Sequence, residues 1–254
     1  MVKLSVMNFD DIELDVHTHT IASGHAFSTL QEMAMAASEK GLKLLGITEH
    51  APGIPGTCNP IYFRNLHIVP RRMYGVELLL GSEINILDGE GNLDMDDRLM
   101  ASLDIRIAGI HSLCYKWGTK DENTTGMIKA ISHPLVNIIS HPGDGTAELE
   151  FEPIVIAAKE HHTLLEINNS SLKPIRKKLT ARDNNLEILR LCKRYEVPVI
   201  LGSDAHISFD IANYEYLPAL LNETEFPDSL IINDSVERFK NYLGLGQDPK
   251  QHSI

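Results

Sequence analysis

Short apolar runs alternate with amphipathic segments along most of this chain. The runs are continuously apolar, which is typical of parallel strands covered on both faces. They cover residues 12–16, 42–48, 76–86, 105–110, 136–140, 164–167 and 197–201. A further run at 230–232 is too short to be counted as a strand. The alternation of strand and helix predicts an α/β fold, a (β/α) barrel with seven parallel strands.

The segments between the runs carry helix signals. Ser28 and Gln31 fit a capping box, which predicts a helix that Gly41 ends. Thr180 or Asp183 begins another helix before the last strand. Residues 51–72 contain four prolines and predict a long loop with a short helix near the strand ends.

The length of 254 residues suits one barrel and is short for two full domains. A single domain is therefore expected over residues 1–254, with a polar tail from about residue 246. The three cysteines are far apart and form no CxxC motif, which indicates a reducing compartment. Without an apolar leader or a stretch of membrane-spanning length, a cytoplasmic protein with no membrane partner is expected.

The formal net charge of −12 disfavours nucleic acid as a partner, because no basic run is long enough to reverse the sign locally. A negative protein that acts on phosphate needs a local source of positive charge. Several bound divalent cations would supply it.

Nine side chains that can bind metal lie at or just beyond the ends of the apolar runs, one of them in the loop after the first run. They are His17, His19, His25, His50, Glu83, His111, His141, Asp204 and His206. Functional groups collect at the carboxyl ends of strands in parallel β/α folds, so a barrel brings these residues together. The carboxylate of Glu83 can bridge two cations, which an imidazole ordinarily does not do. The pattern predicts a metal-dependent hydrolase.

Side chains two residues apart in a strand point the same way. His17 and His19 are therefore expected on one face, as are Asp204 and His206. Asp15 shares the face of the first pair and is expected to accept the second N–H of a histidine ring. Imidazole and carboxylate ligands favour zinc, with manganese and iron remaining open, and the absence of thiolates argues against a purely structural zinc site.

Each signal alone has an ordinary explanation, since His-x-His occurs by chance and Asp-x-His beside a glycine can be a turn. Five further histidines are interpreted as surface or packing residues rather than ligands. They are His67, His133, His161, His162 and His252. Coincidence explains poorly that every candidate ligand follows a strand-like run.

Seven ordered motifs resemble those of the PHP (polymerase and histidinol phosphatase) family. They are DVHTHTIASGHAFST, GITEHAP, GSEINI, IAGIHS, IISHPG, LEINNSS and LGSDAH. The similarity runs from about residue 14 to 208 and is closest to small stand-alone phosphatases with a trinuclear zinc site. It implies a distorted, TIM-barrel-like (β/α)7 barrel that holds three divalent metal ions.

The resemblance also implies how the ligands are shared. His17, His19, Glu83 and Asp204 would hold the first metal. Glu83, His111 and His141 would hold the second, and His25, His50 and His206 the third. One departure is Glu49, which stands in TEH where the family usually has TDH. We expect Glu49 to lie beside the ligands rather than among them, and its extra methylene affects only the orientation of His50.

These residues predict hydrolysis of phosphomonoesters by a hydroxide that bridges two of the metals, with the third metal neutralising phosphate charge. The expected partner is a small phosphorylated substrate; histidinol phosphate, a sugar phosphate and a nucleotide all fit. Arg71 and Arg176 are candidate phosphate contacts because they lie in loops after strand ends. Asn168 and Asn169 either orient ligands or satisfy loop backbone, with the second role favoured.

Three other functions remain open. An amidohydrolase-type enzyme also begins with His-x-His, but it usually needs a longer chain and often has a bridging lysine, and the late strands here end without one. A phosphodiesterase or exonuclease is weakened by the acidic charge. A non-catalytic metal-binding module would be expected to lack ligands. The sequence does not specify an oligomeric state.

Overall fold

The structure is a computed structural model that describes residues 8–245. The tail predicted from about residue 246, and with it His252, lies outside the described residues.

The described residues form eight β-strands. They are β1 (Leu14–Asp15), β2 (Leu44–His50), β3 (Arg72–Met73), β4 (Val76–Ile86), β5 (Ile105–Ile110), β6 (Ile138–Ile139), β7 (Leu164–Asn168) and β8 (Val199–Gly202). Eight α-helices accompany them in the same part of the chain. They are α1 (Leu30–Glu39), α2 (Pro60–Arg64), α3 (Asp97–Met100), α4 (Lys120–Ile131), α5 (Phe151–His161), α6 (Ala181–Tyr195), α7 (Leu217–Thr224) and α8 (Val236–Leu243).

Seven strands form one parallel sheet in the order β1-β2-β4-β5-β6-β7-β8, and β3 adds to β4 in the antiparallel direction. Past the two end strands, Thr18 and Ala205 form a parallel bridge, and the amide of His19 donates to the carbonyl of Ala205 at 2.9 Å. The sheet is thus nearly closed into a barrel with helices around it. The predicted seven-stranded barrel is confirmed.

The eighth apolar run does not become a strand. Residue Ile231 makes a single parallel bridge with Val199, and short 3-10 turns flank it on both sides. The two-residue strand β3 was not predicted, because two residues carry no readable alternation. It lies at the end of the long segment after β2, which contains α2 as expected.

Buried apolar side chains form two layers, one inside the barrel and one around the outside of the sheet. The inner layer fills the barrel and is covered from one side by Phe239 of α8. Leu79 of β4 and Ile107 of β5 belong to this layer, and Glu83 and His111 each lie four residues further along. Because strand side chains alternate, an even spacing keeps them on the inward face. The outer layer packs the sheet against the surrounding helices.

The first helix begins one residue later than predicted. Its capping box is formed by Thr29 and Glu32, not by Ser28 and Gln31. The hydroxyl of Ser28 accepts a hydrogen bond from the backbone N–H of Ser208, after β8, at 3.0 Å instead. Gly41 follows the helix with a φ of +77°, which a glycine adopts without steric cost, as predicted. Among the described residues, no helix has the length and apolar character needed to cross a membrane.

Candidate metal centre

The structure brings all nine predicted ligands to one end of the barrel, around Glu83. This side chain is fully buried on β4. Five imidazole nitrogens lie within 3.6 Å of its carboxylate. Oε1 lies 2.8 Å from His141 Nε2, 3.2 Å from His111 Nε2 and 3.4 Å from His17 Nε2, and Oε2 lies 2.9 Å from His50 Nδ1 and 3.6 Å from His19 Nε2.

Asp204 supplies the second carboxylate of the cluster. Its Oδ1 lies 3.5 Å from His19 Nε2 and 3.7 Å from His17 Nε2, and 3.3 Å from Nδ1 of His206. Asp204 comes from the segment after β8 and His17 and His19 from the segment after β1. The cluster therefore spans the place where the barrel closes.

The rings of His25 and His206 face each other through their Nε2 atoms. Nδ1 of His25 donates to the carbonyl of Ser23 at 3.0 Å, and Nδ1 of His206 donates to the carbonyl of Asp204 at 3.1 Å. The Nε2 atoms of His25 and His206 are nevertheless only 3.1 Å apart. In neutral rings both atoms carry lone pairs, so a cation between them would relieve the repulsion.

The donor spacing fits small cations. Zinc–nitrogen bonds of about 2.0–2.1 Å place two donors of a tetrahedral site roughly 3.3 Å apart. Neighbouring donors here are separated by 2.8 to 3.7 Å. Three sets of three residues offer ligand atoms that, within each set, all lie within 4.8 Å of one another. They are His17, His19 and Glu83; His50, Glu83 and His111; and His19, His50 and His206.

His50 belongs to two of these sets, one with His206 and one with Glu83 and His111. Its Nδ1 is 2.9 Å from Glu83, while its ring stacks on His25 at 4.8 Å between centroids. It therefore lies between the second and third sets of ligands. Its Nδ1 and Oε2 of Glu83 lie close together without the geometry of a hydrogen bond, and neither has another hydrogen-bond partner among the described residues; a cation would provide one.

Electrostatics keep both carboxylates ionised. Burial would raise the pKa of Glu83, but the surrounding histidines hold that pKa well below its usual range. The pKa of Asp204 is lowered in the same way, against burial, chiefly by His17. Burial lowers the pKa of His50 to about 4, so this ring is neutral and can donate a lone pair. Burial also acts on His141, yet the hydrogen bond and charge of Glu83 raise its pKa to about 9. A bound cation would displace that proton.

Two of the nine residues have left-handed backbone. His141 has a φ of +34° and Asp204 a φ of +52°. Such conformations cost energy for residues other than glycine and persist where the surroundings fix them, often at functional sites. Both residues follow the end of a strand, so the turn directs each side chain into the cluster.

Glu166 was missed as a site residue. It is buried on β7, and its Oε1 accepts Nδ1 of His17 at 2.7 Å. The prediction had assigned this kind of role to Asp15, which is wrong. The carboxylate of Asp15 accepts Ser203 and the amide of Ala212 instead, because β1 ends at Asp15 and its alternation does not continue to His17. The missed signal is that Glu166 lies two residues after Leu164, a member of the inner layer.

The structure places the two candidate arginines differently. Arg176 lines a cleft of about 160 Å³ together with seven of the nine residues. Arg71 does not contact this cleft. It pairs with Asp104 at 2.7 Å and donates to two loop carbonyls. The long segment after β2 returns to the opposite end of the barrel before β4 begins. Arg71 therefore lies away from the cleft, and it is not a phosphate contact as expected.

The supporting residues also have defined partners. The carboxylate of Glu49 accepts Thr20 and Ser23, so Glu49 lies beside the cluster as expected. Asn168 donates to Glu166 at 3.1 Å and also accepts the amide of Ser171. It therefore both orients a site residue and satisfies loop backbone.

The remaining asparagine and the other histidines play structural parts. Asn169 accepts the amide of Tyr216 at 2.9 Å. His67 contacts the carbonyl of Arg64, and His133 pairs with Asp97. His161 and His162 lie at the end of α5. None of these four described histidines belongs to the cluster.

Comparison with known proteins gives consistent relatives. The family model of the PHP domain matches residues 15–187. A protein named "probable phosphatase" from Caldicellulosiruptor bescii is 44% identical over 93% of this chain and 98% of its own length. A relative from Clostridium novyi, also named a probable phosphatase, is 45% identical over 91% of this chain and 93% of its own.

Solved structures share the fold. Histidinol phosphate phosphatase from Lactococcus lactis, complexed with zinc, L-histidinol and phosphate, has a TM-score of 0.55 and 20% identity. The match covers 84% of this chain and 94% of that one. A chain of archaeal ribonuclease P, solved with mature tRNA, has a TM-score of 0.58 and 16% identity, covering 95% of this chain and 96% of that one.

Proposed function

The chain belongs to the PHP domain family, and on that premise we propose that it is a metal-dependent phosphatase that hydrolyses phosphomonoesters. The convergence of two carboxylates, one of them fully buried, and seven histidines at one barrel end carries the proposal. The relatives named probable phosphatase support it. Residues 1–254 would act as one domain, because the described strands share a single barrel.

Three metal ions, with zinc preferred, would be held by the nine residues. The first would bind His17, His19, Glu83 and Asp204. The second would bind Glu83, His111 and His141, and the third His25, His50 and His206. The proximity of His50 to Glu83 makes His50 a candidate ligand of the second ion as an alternative to the third.

When bound, the cations would supply positive charge for the phosphoryl oxygens and lower the pKa of a bound water toward about 7. The protein's own residues would bind and orient the ester. Arg176 is the candidate to bind a phosphate oxygen, because no carboxylate pairs with its guanidinium in the described part of the chain. Its Nη2 donates to Ser170 at 3.0 Å, which directs the group along the cleft.

Lys178 is less available for phosphate. This lysine also lines the cleft, but it pairs with Asp144 and contacts Thr146. The narrow cleft and the net charge of −12 both favour a small phosphorylated molecule over a polynucleotide.

The test compares four substrates on metal-loaded protein. We expect release of inorganic phosphate from p-nitrophenyl phosphate. Much slower turnover is expected for bis(p-nitrophenyl) phosphate, a single-stranded oligonucleotide and an amide. Preference for either diester would favour the phosphodiesterase, and preference for the amide the amidohydrolase. Tight metal binding without turnover on a broad phosphate-ester panel would favour the non-catalytic module.

A further inference from the structure

Glu166 joins two of the candidate ligands through both oxygens of its carboxylate. Oε1 accepts Nδ1–H of His17 at 2.7 Å, and Oε2 accepts the backbone N–H of His141 at 2.7 Å. A third donor, the amide of Asn168, reaches Oε2 at 3.1 Å. The side chain is only 1% exposed. All three partners therefore donate, and the carboxylate accepts throughout.

The neighbouring strand leaves room for this carboxylate. Gly202 of β8 lies beside Asn168 in the sheet register. A Cβ added to Gly202 would lie 1.6 Å from Oε1 of Glu166 and 2.6 Å from its carboxyl carbon. Real Cβ atoms do not approach other atoms this closely, so the position of Glu166 requires glycine here. The absence of a side chain at Gly202 thus leaves the space that the Glu166 carboxylate occupies.

We propose that Glu166 is a positioning residue for the metal centre, an inference that rests on the proposed metal-dependent function. By holding the proton on Nδ1 of His17, it leaves the lone pair of Nε2 facing His19 and Glu83, at 3.1 and 3.4 Å. By accepting the amide of His141, it holds the left-handed turn that directs this ring to Glu83 at 2.8 Å. One carboxylate thus orients a ligand of the first metal and a ligand of the second.

The chemistry of glutamine makes the inference testable. In Glu166→Gln the size is kept, but one oxygen becomes an NH2 group that faces a donor. If this NH2 faces His17, the ring has to accept at Nδ1 and carry its proton on Nε2, where it blocks the metal. Loss of such a partner typically weakens metal binding about 10–100-fold.

The experiment measures zinc affinity by chelator competition, zinc per chain, and the tautomer of His17. The tautomer is read from the imidazole ¹⁵N–¹H correlation spectrum of the metal-free protein, at a pH alkaline enough for the His17 ring to be neutral, and assigned with His17→Asn. For Glu166→Gln we expect the two ions that use His17 and His141 to bind about 10–100-fold more weakly, while the third keeps its affinity. The His17 proton should move from Nδ1 to Nε2. A merely structural role would loosen all sites alike and leave the tautomer unchanged.

A matched control is Asp94→Asn. Asp94 also accepts two backbone amides near this end of the barrel, from Gly53 and Asn85, and its carboxylate contacts no histidine ring of the described residues. We expect wild-type zinc affinity and an unchanged His17 tautomer. If Glu166→Gln does not fold, Glu166→Asp decides, since its charge is kept but its shorter side chain can reach only one of the two ligands.

Wild-type affinity at all sites in a folded Glu166 variant, with Nδ1 still protonated, would overturn the role of Glu166. This outcome is independent of the proposed function. A wild-type protein that binds zinc and shows the predicted tautomer, yet hydrolyses no phosphate ester, would refute the phosphatase and leave the positioning role standing.

Discussion

Replacing Glu83 by glutamine tests the centre most directly, because this carboxylate is shared by the first and second proposed metals. The substitution keeps the side-chain volume but removes a buried charge within 3.6 Å of five imidazole nitrogens. Both metals would lose their shared anionic ligand. We therefore expect zinc to fall from three ions to about one per chain, the remaining ion being held by the histidine set that does not include Glu83.

The expected loss of activity follows from the charge that the lost ions supply. Lewis-acid stabilisation contributes several kcal/mol to such reactions. With about 1.4 kcal/mol for each tenfold change in rate, a loss of about 4 kcal/mol lowers kcat/KM roughly 10³-fold. The assay is phosphate release from p-nitrophenyl phosphate, with elemental analysis of the same preparation.

Asp94→Asn again serves as the control, and we expect it to keep its zinc and its activity. Circular dichroism would verify that both variants are folded. A folded Glu83→Gln protein with three zinc ions and more than a tenth of wild-type activity would refute the bridging role of Glu83.

Four further predictions concern the residues around the centre. Gly202→Ala should displace Glu166, lowering the free energy of unfolding by about 1–3 kcal/mol and weakening zinc binding, measured by urea denaturation and chelator competition; unchanged values would contradict the tight packing. Arg176→Ala should lower kcat/KM about 10–100-fold, as expected for a lost charge-assisted hydrogen bond, while Arg71→Ala should retain it; equal effects would remove Arg176 from the site. Chelation should abolish activity and lower Tm by roughly 5–10 °C, and added zinc or manganese should restore both; a metal-free protein with full activity would refute the metal requirement. Glu49→Asp should shorten the reach to its hydroxyl partners and lower stability by about 1–2 kcal/mol with zinc content unchanged; loss of zinc would place Glu49 among the ligands.

The rule that functional side chains gather at the carboxyl ends of parallel strands predicted the residues of the centre, but it did not predict the residues that hold them in place. The ligands were predictable because parallel strands converge at their carboxyl ends, so positions such as His50 and Glu83, which are Cα partners in neighbouring strands, meet whatever the loops do. That they bind metal stays a prediction. Glu166 was missed because its partner His17 lies 149 residues away, and no local pattern encodes that pairing.

The errors share a physical cause, which is that local patterns do not determine where the backbone turns. Asp15 was placed by extending a two-residue repeat beyond the point where β1 ends. Arg71 was placed at the functional end because the path of its loop across the barrel cannot be read from composition. The capping box was shifted by one residue because Ser28 and Thr29 are both good caps, and a contact from the last strand region decides between them.

The closure of the barrel has a consequence for how the protein matures. Its two edge strands are joined beyond their ends by one backbone bridge, between Thr18 and Ala205. His17 and His19 lie on one side of this seam, and Asp204 and His206 on the other. Ions bound across it would link the segment after β1 to the segment after β8. During synthesis, this link can form only after residue 206 has emerged from the ribosome, so the complete set of ligands is not available to cations before then.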